Sequence, residues 1–235
     1  MSRTSIASDF HFGGVNHEAV ETWLRHLKET KPDRVIIAGD LLDAQRLSKF
    51  DKVPGFGDTF EDELSYTRLF LKSLREIYAG KVDIICGNHD LRFKQLLWRN
   101  AEELSGMSGF TIPELLHFEE FGIIYHDIPD GAAKFIDNYI EDQGFLIGHF
   151  NLARKGAGNT ARGLLDTYGS NIVQSHCHRM ALIYKRQFDR TLIGVECGCM
   201  CSLTPPWMKQ TDWTNGFVDL VDGVPEMHPL CEKPI

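Results

Sequence analysis

The sequence lacks the features of a membrane protein and of a disulfide-stabilised secreted domain. No apolar run approaches about 18 residues, the length that a membrane-spanning helix needs, so no span is expected. The six cysteines lie mostly in apolar segments of a 235-residue chain, which predicts reduced thiols rather than a disulfide framework. The first polar motif begins at Asp9, which leaves no room for a signal peptide before it. These absences predict a cytoplasmic protein.

Basic residues are outnumbered by acidic ones. There are 25 lysines and arginines against 33 aspartates and glutamates, for a formal net charge of −8. That balance argues against a protein whose main task is to coat nucleic acid or an anionic membrane, and it suits metal cations better. The hydrophobic content of 43% supplies a sizeable core, and the length fits one domain over residues 1–235.

Polar side chains follow five apolar segments at the point where each segment ends. The clearest segment, residues 82–86, breaks at Gly87 and leads into Asn88 and His89. The other segments and their polar residues are 4–8 with Asp9 and His11, 34–38 with Asp40 and Asp43, 145–147 with His149, and 172–174 with His176 and His178. Since sites of α/β proteins form at the carboxyl ends of their strands, we expect these side chains to meet at one edge.

Helices are predicted between most of these strands. Apolar residues recur at helical spacing in residues 17–29, 61–78, 91–104 and 160–168, with Asn16 as the cap of the first helix. Right-handed crossovers through such helices give a largely parallel first sheet.

The second half of the chain predicts a second sheet packed on the first, with helices outside. Its expected elements are strands at 181–184, 191–195 and 216–221 and a hairpin turn at 222–223, and the stretch before them is expected to hold a strand at 122–125 and an acidic helix or loop at 136–142.

The residues at the strand ends have the composition of a site for two divalent metals. Carboxylate oxygen and imidazole nitrogen suit manganese, iron or zinc, and Asp40 can bridge two ions. Two ions about 3.5–4 Å apart clamp the attacking and leaving oxygens of a displacement at phosphorus and lower the pKa of bound water. The pattern therefore predicts hydrolysis of phosphate esters.

Five motifs resemble, in the same order, those of the calcineurin-like metallophosphoesterases, whose small phage-encoded members commonly carry stretches that resemble residues 47–52 and 212–217 of this chain. The five motifs are Asp9-Phe10-His11, Gly39-Asp40-Leu41-Leu42-Asp43, Gly87-Asn88-His89-Asp90, Gly148-His149 and Ser175-His176-Cys177-His178. The resemblance spans residues 9–178. It implies an α/β fold, a four-layer αββα sandwich of two mixed β-sheets flanked by helices. It also implies two divalent metal ions, with Mn²⁺ the first expectation and Fe, Zn, Ni or Mg the alternatives.

The same resemblance implies a role for each motif residue. The first metal would be held by Asp9, His11, Asp40 and His178, and the second by Asp40, Asn88, His149 and His176. A hydroxide bridging the two ions would attack phosphorus, while His89 acts as the general acid and Asp43 orients it. Two arginines near these motifs, Arg92 and Arg154, are expected to bind the substrate phosphate.

The sequence departs from the family pattern at two places, of which the first bears on local backbone geometry and the second on substrate class. Ser175 stands where a glycine is usual, and Asp43 is followed by Ala44-Gln45, where the Ser/Thr protein phosphatases carry Arg-Gly. The second departure favours a phosphodiesterase acting on nucleotides or nucleic-acid ends. The alternatives are a phosphomonoesterase, including a protein phosphatase, and a non-catalytic scaffold of the same fold. The expected partner is a phosphorylated small molecule or nucleic acid, without a membrane or an obligatory protein partner. For a phage-encoded chain the location would be the host cytoplasm.

Three further features each leave two interpretations open. Cys197, Cys199 and Cys201 alternate, so in a strand they would share one face, as a soft metal site or, the favoured interpretation, as small side chains buried under the second sheet. Trp207 and Trp213 would stack a base or pack the tail onto the sheet. The histidines without ligand-like spacing, His26 and His228 among them, are expected to be surface or core residues.

Overall fold

The structure, a computed structural model, describes residues 1–49, 51, 57–128, 138–206, 208 and 210–230. The predictions for Trp207, Cys231 and residues 136–137 fall outside these ranges.

Four parallel strands form most of the first sheet, and helices connect them. The strands are β1 (Arg3–Ala7), β2 (Arg34–Ile37), β3 (Lys81–Ile85) and β4 (Ile123–His126), and the first three are joined by α1 (His17–Thr30) and α2 (Phe60–Ile77). Both of these helices begin after a residue whose side chain caps them. The side chain of Asn16 accepts a hydrogen bond from the Ala19 N–H, and Thr59 and Asp62 form a capping box.

The helix predicted at 91–104 is shorter in the structure. It ends as α3 (Leu91–Asn100), because Ala101 leaves the helical region at φ −157°. A 3₁₀ helix (Glu102–Gly106) and the short α4 (Ile112–Leu115) follow before β4.

The second sheet is built from the middle of the chain. Its strands are β5 (Tyr139–Asp142), β6 (Phe145–Gly148), β7 (Asn171–Gln174), β8 (Met180–Gln187) and β9 (Arg190–Cys197), in the order β5-β6-β7-β9-β8, with α5 (Asn159–Tyr168) between β6 and β7. The expected acidic helix or loop is wrong for residues 139–142. That segment is β5, paired antiparallel with β6 across a tight turn at Gln143 and Gly144, both of positive φ. Its four residues are too few to show a clear alternation.

The last hairpin corrects the predicted sheet assignment. Strands β10 (Gly216–Val221) and β11 (Val224–Pro229) flank the predicted turn, but they join the first sheet rather than the second. Strand β10 pairs antiparallel with β1, so that Ser5 lies opposite Asp219. Residue pattern predicts a strand but not its partner, and the partner here lies more than 200 residues away.

The two sheets face each other and are covered by helices on their outer sides. Between the sheets, Ile6, Ile36 and Val218 pack with Ile147 and Val173. A second core lies between α1, α2 and the outer face of the first sheet, and a third lies between α5 and the second sheet. The predicted fold class, an αββα sandwich of two mixed sheets, is confirmed. Among the helices that the structure describes, none combines the length and apolarity that crossing a membrane requires.

Candidate metal centre

The loops after β1, β2 and β7 are hydrogen-bonded to one another at the carboxyl edge of the sheets. The Asp9 N–H donates to the carbonyl of Gly39 at 3.0 Å, and the His176 N–H donates to Asp9 Oδ2 at 3.0 Å. Ser8 Oγ donates to the same carboxylate oxygen at 2.7 Å. These bonds bring the predicted polar motifs into contact although they are far apart in sequence.

Five of the seven predicted ligands have a left-handed backbone. The φ angles of Asp9, His11, Asp40, His176 and His178 lie between 47° and 69°. Non-glycine residues rarely adopt this region, which costs of order 1–3 kcal/mol at each position. Such strain persists where surrounding contacts enforce it, and it collects at functional sites.

Two glycines allow the loops to approach closely. A Cβ at Gly39, whose φ is +94°, would lie 2.5 Å from His149 Nδ1. A Cβ at Gly87 would lie 2.2 Å from both the amide nitrogen and Oδ1 of Asp40. A side chain at either position would push a predicted ligand out of place.

The four residues predicted for the first metal form one cluster. His178 Nε2 lies 3.1 Å from Asp9 Oδ1 and 3.2 Å from His11 Nε2. His11 Nε2 in turn lies 3.7 Å from Asp40 Oδ2. All four side chains are buried.

The residues predicted for the second metal form an adjoining cluster that shares Asp40. His149 Nε2 lies 3.3 Å from Asp40 Oδ2, 2.9 Å from Asn88 Oδ1 and 3.1 Å from His176 Nδ1. Asp40, with its side chain 1% exposed, therefore stands between the two groups of donors.

The donor set fits divalent cations. Carboxylate and amide oxygens with imidazole nitrogens are ligands for divalent transition metals. Asp9 Oδ1 is buried and has no hydrogen-bond partner among the described residues, although it faces two imidazole rings. Because a buried polar atom without a partner is unfavourable, this oxygen is placed to accept a cation.

The titratable groups of the clusters show how strongly the site attracts positive charge. Burial alone would lower the pKa of His178, but the charge of Asp9 outweighs it and raises that pKa to about 10. In the same way Asp40 outweighs burial and raises the pKa of His149 to about 9. Burial raises the pKa of Asp9 and Asp40, yet the facing imidazoles hold both well below the usual range. These buried carboxylates therefore favour positive charge beside them, which a divalent cation would supply.

His89 is bound on both sides of its ring. Its Nδ1 lies 2.9 Å from Asp43 Oδ1 and 3.0 Å from the Asp43 carbonyl, both acceptors, so Nδ1 carries the proton. Arg92 donates to His89 Nε2 at 2.9 Å and to the Asp43 carbonyl at 2.7 Å. The structure thus brings the predicted acid, its predicted orienting carboxylate and one predicted substrate-binding arginine into one hydrogen-bonded group.

Asp90 holds two of the site loops together, a role that the sequence interpretation did not assign. Its carboxylate accepts from the N–H groups of Leu42 and Gly87, both at 2.9 Å. The sequence signal for this role is a carboxylate directly after His89 and before the helical spacing that begins at Leu91.

A cavity of about 560 Å³ opens over the two clusters. Its described lining residues are His11, Gly13, Gly14, Val15, Asp40, Asp43, Gln45, Gly57, Asp58, Glu63, His89, His176, His178, Cys201, Ser202, Pro205, Pro206 and Trp213. They include neither lysine nor arginine. Arg154 is exposed, and its guanidinium lies against Gly163 of α5, so the structure does not bring it to the cavity.

The three alternating cysteines do not share a strand face, which corrects that part of their interpretation. Strand β9 ends at Cys197, and Gly198, at φ +82°, turns the chain. The backbones of Cys199 and Cys201 then form isolated β-bridges with different partners, Asn215 and Val15. All three thiols are buried, as expected. Cys201 lines the cavity, and its Sγ lies 3.7 Å from His178 Nδ1. The alternation of the three cysteines in the sequence does not indicate this contact.

Three further residues lie near the clusters. Sequence analysis gave them either two possible roles or no role. Trp213 lies edge-on to His178, with ring centroids 4.2 Å apart, and lines the cavity. Ser175 Oγ lies 2.9 Å from His149 Nδ1, so the serine that replaces the usual glycine contacts a predicted metal ligand. Glu63 of α2 accepts from the Ala44 N–H at 2.6 Å.

A family match accompanies this geometry. The model of the calcineurin-like phosphoesterases matches residues 3–191. The chain belongs to that family. As a calcineurin-like phosphoesterase it is a metal-dependent phosphoester hydrolase, and the family implies divalent metal ions.

Relatives of this calcineurin-like phosphoesterase include two phage proteins. It is 27% identical to the Gene 54 protein of Mycobacterium phage L5 and 28% identical to that of Mycobacterium phage D29, over 97% of this chain and 93% of each relative. Among solved structures, the phosphoesterase YfcE from E. coli aligns over 93% of this chain and 88% of its own, with a TM-score of 0.46 and 16% identity.

Proposed function

We propose that this calcineurin-like phosphoesterase is a phosphodiesterase that acts on nucleotides or nucleic-acid ends with two divalent metal ions. The observation that carries the proposal is the pair of donor clusters that share Asp40 on the floor of one cavity. In this proposal the first ion is held by Asp9, His11, Asp40 and His178, and the second by Asp40, Asn88, His149 and His176.

The metal is proposed to be Mn²⁺, with Fe, Zn, Ni and Mg as alternatives, because mixed oxygen and imidazole donors suit this group of ions. When bound, two such ions lower the pKa of water and stabilise the charge that develops at phosphorus.

His89 is proposed to assist the departing oxygen. Asp43 fixes the ring with the proton on Nδ1, so Nε2 faces the cavity beside Arg92. A substrate phosphate that draws the Arg92 guanidinium away would free Nε2, and protonation there would let His89 donate to the leaving oxygen.

The diester preference is supported by the charges of the cavity. Asp43 and Asp58 line it, and no lysine or arginine does so among the described residues. A phosphate monoester carries roughly −1.5 to −2 charge near neutral pH, whereas a diester carries a single charge. The site is therefore better suited to a diester. Its size lies in the range typical of small-molecule sites.

The test is hydrolysis by the purified protein with Mn²⁺. Bis(p-nitrophenyl) phosphate should be cleaved faster than p-nitrophenyl phosphate. Cleavage of the monoester alone would contradict the diester preference and favour a phosphomonoesterase. If neither ester were cleaved with any of the five metals, the result would favour a non-catalytic scaffold.

A matched pair of variants separates the site from the rest of the chain. Asp40→Ala should abolish turnover and metal retention together, since it removes the donor common to both clusters. Asp166→Asn, at an exposed aspartate of α5, should leave both unchanged.

Location and partners follow as proposals from the same reasoning. The phage origin of the relatives supports action in a host cytoplasm, on a phosphorylated small molecule or nucleic acid. Neither a membrane nor an obligatory protein partner is part of this proposal.

A further inference from the structure

A second group of metal-ligating side chains lies away from the cavity. His26 of α1, Asp219 of β10 and His228 of β11 meet on the side of the first sheet that α1 covers. None of the three lines the cavity over the metal centre. The sequence interpretation placed both histidines among surface or core residues.

The register of the hairpin and the period of the helix explain the meeting. Residues 217, 219, 226 and 228 point to one face of the sheet, since Phe217 pairs with His228 and Asp219 with Glu226. On α1, His26 follows Ala19 and Trp23 at helical spacing, and both of these are buried.

The three donor groups face one another at short range. His26 Nε2 lies 2.8 Å from Asp219 Oδ2, and His228 Nε2 lies 3.7 Å from the same oxygen. The carboxylate is fully buried. Phe217 stacks on His228 with ring centroids 4.6 Å apart and contacts His26 at 4.8 Å, so packing holds both rings in place.

One atom of this group lacks the partner that its position demands. His228 Nε2 is buried and has no hydrogen-bond partner among the described residues, because the Asp219 oxygen that it faces is beyond hydrogen-bond distance. A cation between the rings and the carboxylate would take this lone pair.

We infer that His26, Asp219 and His228 form a further divalent-cation site, with zinc as its ion. Two imidazole nitrogens and one carboxylate oxygen are a donor set of zinc sites that keep a fourth, open position. The ion would join α1 to the last hairpin and so tie the end of the chain to its first helix.

Arg3 is the competitor for this ion. Its guanidinium pairs with Asp219 Oδ2, and it also reaches Glu226 Oε2 at 3.1 Å. Since Glu226 offers a second partner, Arg3 can keep an ion pair when the cation takes Asp219. Removal of Arg3 should therefore tighten cation binding at this site.

The test counts the ions retained by the full chain after exposure to Zn²⁺ and gel filtration. His228→Gln should retain one ion fewer than the wild type, and Zn²⁺ should raise the Tm of this variant less than that of the wild type. His17→Gln, at an exposed histidine of the same helix, should retain the wild-type number. Equal ion counts in the wild type and His228→Gln would overturn the inference. A metal centre that failed to bind would lower both counts and leave their difference intact.

Two further measurements do not depend on the folding of that variant. In the wild type, Zn²⁺ should shift the ring-nitrogen NMR signals of His26 and His228, and signals that stay in place would overturn the inference. Arg3→Met should bind the additional Zn²⁺ more tightly than the wild type. Unchanged or weaker binding would show that the group is a network of ion pairs alone.

Discussion

At the scale of the residue, His89 owes its orientation to one contact that is distant in sequence and one that is close. Asp43, 46 positions earlier, fixes the proton on Nδ1, and Arg92, three positions later, donates a hydrogen bond to Nε2. Neither contact supplies a metal donor. The ring is thus held beside the two donor clusters, and the His89 N–H donates to Asp40 Oδ1 at 2.8 Å.

Replacement of His89 by alanine should lower kcat by about 10²- to 10⁴-fold, the usual contribution of a general acid, and leave metal content unchanged. The loss should be larger for a nucleoside leaving group than for p-nitrophenolate, which departs without a proton. Steady-state kinetics on both diesters and elemental analysis check this. Equal losses on the two leaving groups would contradict the acid role.

Glu63 should make stability depend on pH. Burial, with the Asp43 charge adding to it, raises the pKa of Glu63 to about 8 in the folded chain, against about 4.3 when unfolded. Between these values the unfolded state releases the proton and the folded state keeps it, so stability falls as pH rises.

The Glu63→Gln variant removes this contribution. Relative to the variant, the wild type should lose roughly 1 to 3 kcal/mol of unfolding free energy between pH 5 and pH 8. Urea unfolding at several pH values with a chelator present measures it. Glu61→Gln, at an exposed glutamate of the same helix, is the control, and parallel pH profiles for wild type and Glu63→Gln would refute the expectation.

At the scale of the element, the site depends on short turns after strands rather than on the strands themselves. The turn after β3 brings its backbone against Asp40, and Asp90 at the start of α3 binds the turns after β2 and β3 together. A change in one turn is therefore transmitted to a ligand carried by another.

Gly87→Ala should destabilise the chain by about 1–3 kcal/mol and weaken metal binding, because its Cβ would overlap Asp40. Gly106→Ala places the same methyl group in open space and should change neither quantity. Unfolding curves and metal titrations of the two variants give the comparison. Tight metal binding in Gly87→Ala would show that the loop can move at little cost.

At the scale of the whole molecule, the metal centre lies where both sheets contribute loops. β1, β2 and β3 of the first sheet carry Asp9, Asp40 and Asn88, while β6 and β7 of the second carry His149 and His176. An ion shared by these loops would bind only the assembled sandwich, so it should stabilise the packing of one sheet on the other.

Removal of metal by a chelator should therefore lower the Tm by about 5 to 10 °C, as expected for a ligand present at roughly a hundredfold excess over its Kd. Excess Mn²⁺ should restore it. Scanning calorimetry provides the measurement, and Asp40→Ala should show no such response. A Tm indifferent to chelation in the wild type would argue against ions shared between the sheets.

Local pattern was enough to predict most helices, the strand ends and the family. Helical spacing and caps marked α1 and α2, and the polar residues after each strand need only local chemistry to be recognised. The short strand at 139–142 was missed because four residues show too little alternation, and the end of α3 was placed four residues late.

The sequence by itself determined which residues can bind metal and on which strand ends they stand, because these follow from side-chain chemistry and from the turn after each strand. Only the tertiary structure decided the sheet of the last hairpin, the exclusion of Arg154 from the cavity, the place of Cys201 beside His178, and the meeting of His26 with His228. Each of these depends on contacts between distant segments, and the geometry of such contacts is set by how the sheets and helices pack.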